Sequence, residues 1–429
     1  MKRTLTLLMA LVMLLSIAIP AMAEEPIELD LFVFHTRENR ASSSECDIFW
    51  KRVDEWKEAH PEVTINESTM DQADYHVKCQ AMAAAGEISD MIFVKGSWFT
   101  TFVDNGLLMP LSDAIDAYEY KDAWRAGIFD AATRDGVIYG IPNQFATTSL
   151  VYYNAKMFEE IGYDHFPTTW DEFFDAAAKF EEKGIDMVAL GNKDKWPAES
   201  CILSALGDRF TGTEWTNSII AKDGEAKFTD QAFVDALALL QRMATEGLLN
   251  ADYNTINNEQ AQAYVYNGQA ACTFEGFWAV SSFNAKGDPE VLPNIEVAMM
   301  PTVDGNNTNS TSGGAGWYMG LSNALEGAEK EAALDFLFYV YGIGYSEDLS
   351  GTYGDLAPMT VEAADASTLP PLSVKALAVL EDATFTPIYD ILMEGSVIDV
   401  MNAGIQELLN GTKTPEALAE EIQFEQDML

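Results

Sequence analysis

Basic residues are scarce in this chain of 429 residues: 25 Lys and Arg stand against 68 Asp and Glu, a formal net charge of −43. That excess repels phosphate backbones and anionic lipid surfaces, so nucleic acid and such membranes are excluded as expected partners. Its plain reading is a solubilising surface. Histidine is scarcer still. None of the four (His35, His60, His76, His165) sits in a motif, and neither a CxxC pair nor a His-Cys cluster occurs, so no zinc site, metal or other cofactor is expected. GxSxG, the usual surround of a serine nucleophile in one large hydrolase class, is absent. Beyond the N-terminus no segment approaches twenty uninterrupted apolar residues, and no membrane anchor is expected in the mature chain.

Only four cysteines are present, enough for two disulfides in an exported chain. Cys46 and Cys79 would fall on the first two helices of a β-α-β-α-β unit. Right-handed crossovers put those helices on opposite faces of the sheet if the third strand lies on the other side of the first from the second. Cys201 and Cys272 are the better pair, but buried free thiols are expected ahead of either.

What is there begins with export. Lys2 and Arg3, the apolar run 5–19 and the small-x-small end Ala21, Met22, Ala23 form a secretory signal peptide (1–23), cleaved after Ala23. No cysteine sits at the cleavage point, so lipid attachment is not indicated, and the mature protein is expected in the periplasm or at the extracellular cell surface. A chain of this length, 48% hydrophobic, suffices for two ordinary domains with full cores.

IELDLFVFH alternates and then runs apolar, as a buried first strand should. A helix with Ile48, Phe49, Val53 and Trp56 on one face ends at His60 before Pro61. VTINEST is a second strand, YHVKCQAMAAAGE a second helix and DMIFVKG a third strand, together a doubly wound α/β lobe. The stretch 134–173 carries more information than any other. It holds the β-type runs VIYGIP and SLVYYN, a helix capped by Asn154 and stopped at Gly162, and a helix WDEFFDAAAKFEEKG capped by Thr168 or Thr169. Further on come a strand at 185–190, helices in ESCILSALG and DQAFVDALALLQRMATEG, a strand ACTF with a Gly-aromatic turn, and a strand IEVAMMP. A flexible polar loop then leads into a strand within DGNNTNSTSGGAGWYMGLS.

Three runs of the central stretch, DGVIYGIP, YYNAKMFEEIG and FPTTWDEF, follow one another as they do in a known family. The chain resembles the extracellular solute-binding proteins of carbohydrate ABC importers, the group that includes the maltose-binding protein. GQAACTFEGFW, EKEAALDFLFYV, GDLAP and IQELLNGTKTPEALAEEIQ match further motifs of that family, and the resemblance runs from about Ile27 to Gln423. It implies a two-lobed α/β fold, each lobe a doubly wound sheet with flanking helices and a ligand cleft between them. The implied division is a first lobe at 24–145 with 317–365 returning to it, and a second at 146–316 with 366–429 returning. It also implies a monomer that captures a carbohydrate ligand and delivers it to the transmembrane permease subunits of an ABC transporter.

Ligands of open α/β sheets bind outside the carboxyl ends of the strands. The candidate residues are therefore those of the turns after strands: Thr36, Arg37 and Glu38; Ser97 and Trp98; Asn143, Gln144 and Thr147; Lys195 and Trp196; Glu275 and Trp278; Trp317 and Tyr318. Aromatic plates suit the apolar faces of a sugar, and planar charged groups suit its hydroxyls. Trp278 matches the tryptophan of the family's Gly-x-Trp turn, whose ring stacks on ligand; the other reading is a core tryptophan closing the second lobe. Trp98 and Trp196 divide between binding and packing, one of Trp317 and Tyr318 reads as hinge packing, and Arg37 with Glu38 as ligand contacts or a surface pair. Trp50, Trp56, Trp124 and Trp170 read as packing. The segment GSVIDVMNAG lacks the aromatic that maltose-type members carry before the final helix pair, which argues against a linear maltodextrin. Arg37, Lys95, Lys193 and Lys195 would tolerate an acidic sugar.

Two other readings stay open. A secreted glycoside hydrolase would need two carboxylates roughly 5 to 9 Å apart, for which Glu38, Glu275 and Asp288 are available. A two-lobed binder of a polyamine or metal would need acidic or tyrosine-rich turns, but Tyr152 and Tyr153, adjacent in a strand, face opposite ways.

Overall fold

The structure, a computed structural model, describes residues 26–303 and 309–429. The expected signal peptide and part of the polar loop, 304–308, lie outside the described residues. In chain order the strands are β1 (Ile27–Val33), β2 (Val63–Thr69), β3 (Met91–Lys95), β4 (Thr133–Arg134), β5 (Val137–Ile138), β6 (Ile141–Pro142), β7 (Ala146–Thr147), β8 (Leu150–Asn154), β9 (Asp186–Val188), β10 (Ala270–Glu275), β11 (Ile295–Met299), β12 (Ser310–Gly314), β13 (Trp317–Leu321) and β14 (Thr384–Thr386).

One sheet has the order β2-β1-β3-β13-β6. Its first three strands are parallel (Ile27 opposite Val63, Leu31 opposite Met91), and β13 is antiparallel to both its neighbours. β1 is buried because helices cover both faces of its pair, and Leu29, Leu31 and Val33 are wholly inaccessible. The helix Ser44–Ala59 begins where the Ser43 hydroxyl accepts the amide of Cys46 at 3.2 Å, and it buries Cys46, Phe49, Trp50, Val53 and Trp56 at helical spacing. The helices Gly327–Tyr341 and Ile343–Tyr353 close the same core. The β2-β1-β3 order is the condition that separates Cys46 from Cys79, and all four cysteines are free and buried.

A second sheet, β11-β8-β10-β9, supports the other lobe. Its helix Trp170–Glu181 shows why the FPTTWDEF run recurs. The Thr169 hydroxyl accepts the Glu172 amide while the Glu172 carboxylate accepts the Thr169 amide, each at 3.3 Å, so two orphan N–H groups are satisfied together. Trp170, Phe173, Ala177 and Phe180 then fall on the buried face, and full burial of a ring such as Phe173 contributes about 1.5–3 kcal/mol. The helices Gly395–Leu409 and Pro415–Asp427 share this core. Two elements depart from expectation. ESCIL opens as a π-helical turn, Glu199–Leu203, and the residues after the Gly-aromatic turn form a helix, Ala279–Lys286, held by Val280 and Phe283.

Three short strands from distant parts of the chain pair as a small third sheet of order β14-β12-β7. Gly313 opposes Thr147 antiparallel, and Ser310 opposes Thr384 in parallel. After β14 the short helix Tyr389–Leu392 straddles the two cores: Ile388 and Ile391 pack into the first, Tyr389 and Met393 into the second.

Candidate functional site

From the first lobe comes an aromatic wall. Trp317 stands edge-on to Trp98 (centroids 5.3 Å, 86°), Phe34 lies 4.7 Å from Trp317, and the imidazole of His76 fits against both tryptophans at 5.1 and 5.2 Å. Burial, helped by the Lys95 charge, lowers His76 to about 3, so the ring is neutral, and its Nε2 has no partner. Tyr318, the next residue of β13, points to the opposite face. Its hydroxyl donates to Ile128 O at 3.0 Å, and its ring lines a separate cavity of about 540 Å³ with Arg125, Phe145 and Phe385 beside β12 and β14. Of the expected pair, then, Trp317 belongs to the wall and Tyr318 to packing.

The second lobe answers with Trp196 and Trp278, 6.1 Å apart at 67°. Trp278 follows a glycine for a steric reason: a Cβ at Gly276 would lie 2.1 Å from the Trp278 ring and 2.3 Å from Thr147 O. The indole N–H of Trp278 donates to Glu275 Oε2 at 2.8 Å; Glu275 is wholly buried and its Oε1 has no partner. Burial raises Glu275 to about 7 despite the Trp278 donor. Lys195, exposed and at φ 71°, leads into the Trp196 turn.

At and just before β7, the Asn143 Oδ1 and Thr147 Oγ1 atoms are buried and unpartnered, and Gln144 is half-buried. Ser97 is buried, its carbonyl 3.1 Å from where a Cβ at Gly395 would stand. Lys95 bonds Asp390 at 2.7 Å, both side chains almost covered. Asp390 neighbours Glu199, which accepts from the Ser204 hydroxyl at 2.8 Å, keeps Oε2 unpartnered, and is pushed well up by burial and by Asp390. Asp399 feels both Lys95 and Lys195.

In the turn after β1, Arg37 is ion-paired, with acids other than Glu38. Arg37 donates to Glu67 at 2.9 and 3.0 Å and to Asp54 at 2.8 and 3.1 Å, stacked 4.0 Å above Trp50, and these acids hold it above its ordinary range. Its fork is therefore committed within the lobe rather than offered to a ligand. Thr36 gives its carbonyl to the Cys46 thiol and the Asn39 amide, and Glu38 is exposed. The turn's 3-10 helix, Arg37–Ser42, lies against the second-lobe helix Ala279–Lys286.

Sequence reasoning missed a carboxylate pair here. Glu45 accepts from the Ser43 hydroxyl at 3.0 Å, and Asp355 from the Ser44 hydroxyl at 2.6 Å and the Leu356 amide at 2.8 Å; both acids are buried. Burial and the neighbouring Asp355 charge raise Glu45 to about 8, and burial raises Asp355 to about 6. Glu45 reads in the sequence as an ordinary acid of a helix's first turn. Its partner enters from 310 residues away, and no local pattern joins them.

Two lobes on separate sheets, with a small third sheet beside them and with aromatic rings and unpartnered polar atoms, define the class of two-lobed solute-binding proteins. This chain belongs to the bacterial extracellular solute-binding protein family, whose model matches residues 51–375. It is 26% identical to a lactose-binding protein of Rhizobium radiobacter over 68% of this chain and 67% of that one. It is 24% identical to an uncharacterized ABC transporter extracellular-binding protein of Pyrococcus horikoshii over 66% of this chain, a match spanning 62% of the relative's length. Among solved structures, a chitin oligosaccharide binding protein is similar at TM-score 0.84 and 27% identity, over 94% of this chain and 99% of that one. A structure from work on xylan utilization by the thermophile Caldanaerobius polysaccharolyticus is similar at 0.81 and 26%, over 93% and 99%. No helix among the described residues is long and apolar enough to cross a membrane.

Proposed function

We propose that this protein is the exported, signal-peptide-cleaved binding component of an ABC importer, which captures a sugar or oligosaccharide between its lobes and hands it intact to a membrane permease. The observation that carries the reading is the pairing of aromatic plates with unpartnered buried acceptors: Trp98 and Trp317, Trp196 and Trp278, with Asn143 Oδ1, Thr147 Oγ1 and Glu275 Oε1. A ring face suits the C–H face of a pyranose, and its hydroxyls supply donors to atoms that are otherwise costly to bury. Similarity to a lactose-binding protein and a chitin oligosaccharide binding protein supports the same class.

The mechanism is a population shift. Ligand touches both lobes only when they are together, and moving an equilibrium from 1:99 to 99:1 takes about 5.5 kcal/mol of differential affinity. The lobes we assign are 24–145 with 317–365, and 146–316 with 366–429. Of the expected contacts we retain Ser97, Trp98, Asn143, Gln144, Thr147, Lys195, Trp196, Glu275, Trp278 and Trp317. Arg37 and Tyr318 leave that set, and Thr36 and Glu38 stand at its rim.

A thermal-shift screen of the mature chain against mono- and oligosaccharides tests this, with the incubation mixtures examined for cleavage. A sugar at about a hundred times its Kd adds about 2.7 kcal/mol, a rise of several degrees. A shift with intact sugar is the expected result. Cleaved sugar would make the protein a hydrolase, and a shift only with a metal, polyamine or peptide would sink the carbohydrate assignment.

A further inference from the structure

The cavity of about 540 Å³ beside β12 and β14 is lined by Tyr318 and not by Trp317, so it opens on the face of β13 opposite the tryptophan wall. Its volume suits a small molecule. None of the residues retained above as sugar contacts lines it. The one base on its lining is Arg125 and the one acid is Asp130. Asp130 is turned toward Gly127, where an added Cβ would lie 3.1 Å from its Oδ2, and no ion pair among the described residues includes Arg125.

Backbone groups set Arg125 in place. Its amide donates to Pro358 O at 3.1 Å, the Thr360 amide donates to Ala123 O at 2.7 Å, and its own Nε donates to Ala357 O at 2.7 Å. The guanidinium carbon stands 5.3 Å over the Phe145 ring. Both terminal nitrogens are left without a hydrogen bond or ion pair, and among the described arginines Arg125 is alone in this. Arg134 and Arg209 spend theirs on backbone carbonyls, and Arg37, Arg40, Arg52 and Arg242 on acids. In a chain with 68 acids, a guanidinium that no acid reaches is the exception. Partial burial holds it below its ordinary range, with no carboxylate acting against the shift.

The other half of the cavity is aromatic. Phe385 meets Phe145 edge-on (centroids 4.9 Å, 78°) and stays 37% exposed. Gly313 on β12 makes room for both rings, since a Cβ there would lie 2.5 Å from Phe385 Cδ1 and 3.3 Å from Phe145 Cε1. A planar cation with both terminal nitrogens open therefore stands beside a corner of two rings. The guanidinium fork matches the two oxygens of a carboxylate, and the rings match a flat apolar body. A sugar hydroxyl would leave the cation uncompensated. A phosphate fits less well, because no second cation lines the cavity and the formal charge of −43 opposes each further negative charge.

We propose that this cavity is a second ligand site, for a small aromatic monocarboxylate whose carboxylate pairs with the Arg125 fork and whose ring packs against Phe145 and Phe385. The site does not rest on the carbohydrate reading.

Ligand-observed NMR titration of the full mature chain at neutral pH tests this with benzoate, its neutral isostere benzamide, and acetate. Benzoate should bind at least about tenfold tighter than either, because benzamide lacks the charge and acetate the ring. Arg125→Gln should bring benzoate to within about threefold of benzamide. Phe385→Ala should weaken benzoate about fivefold or more and keep its lead over benzamide. Phe385 is exposed enough for that variant to keep the fold, checked by its melting temperature, so the test stands even if Arg125→Gln fails to fold. Benzamide binding as tightly as benzoate, no saturable benzoate binding, or a benzoate preference unchanged in folded Arg125→Gln would overturn the proposal. So would competition between benzoate and a neutral oligosaccharide for the same cavity. A failure of every sugar in the screen above would sink the carbohydrate reading and leave this site standing.

Discussion

The helix Ser44–Ala59 has acids at both of its faces, and the two faces treat them oppositely. Outside, Asp47, Asp54 and Glu67 are met by Arg37, Arg40 and Lys57 in one network of charge-assisted bonds. Inside, Glu45 and Asp355 are in no ion pair among the described residues. A chain with so few basic residues has spent several on a surface where each pair contributes little, and withheld them from the interior where an unpaired acid is expensive. A count of charges in the chain therefore says nothing about how any one of them is paired.

That contrast can be pressed at four points. The largest effect should come from Lys95→Met, which leaves Asp390 buried and unpaired beside Glu199; a loss of about 3–5 kcal/mol in urea unfolding is expected. Next is pH. Glu45 and Asp355 have folded-state values raised from 4.5 to about 8 and from 3.8 to about 6, so their contribution is fully present below the unfolded values and is lost as pH rises through the folded ones. The unliganded protein should therefore lose stability steadily as pH rises from about 4.5 to about 8. Glu45→Gln should flatten that slope in a series of melts; a slope unchanged by the substitution would mean the pair is not its source.

Third, Trp278→Ala should weaken sugar binding about thirtyfold, the loss typical of a buried aromatic anchor, with Glu275 deprived of its indole donor. An unchanged affinity with a lower melting temperature would return Trp278 to the packing role. The smallest effect belongs to Arg37→Met, which should cost under about 1 kcal/mol in the same unfolding assay because its partners are half exposed. Ligand affinity should stay level; a tenfold loss there would show that the fork reaches the ligand after all.

Local chemistry was readable from the residues alone. Thr169 with Glu172, Asn154 before its helix and His60 before Pro61 all act within a few positions, and each does what its type predicts. The family motifs are largely such caps and turns, which is why the architecture could be read from the chain. The candidate site was readable only in part. Alternation along β13 could have separated Trp317 from Tyr318 in advance, because neighbours in a strand face opposite ways. Arg37 could not have been assigned, since Asp54 and Glu67 lie 17 and 30 residues off on a helix and an adjacent strand. Lys95 with Asp390, and Ser44 with Asp355, are joined across 295 and 311 positions, and only the folded sheet brings them together.

The short helix Tyr389–Leu392 and its flanking residues anchor in the two larger hydrophobic cores, Ile388 and Ile391 in one, Tyr389 and Met393 in the other. Neither core can come apart without drawing out residues that complete its neighbour. Heat should accordingly register one transition, as for a single cooperative unit, even though the chain is laid out as two lobes, and whatever tightens one lobe should defer the unfolding of both.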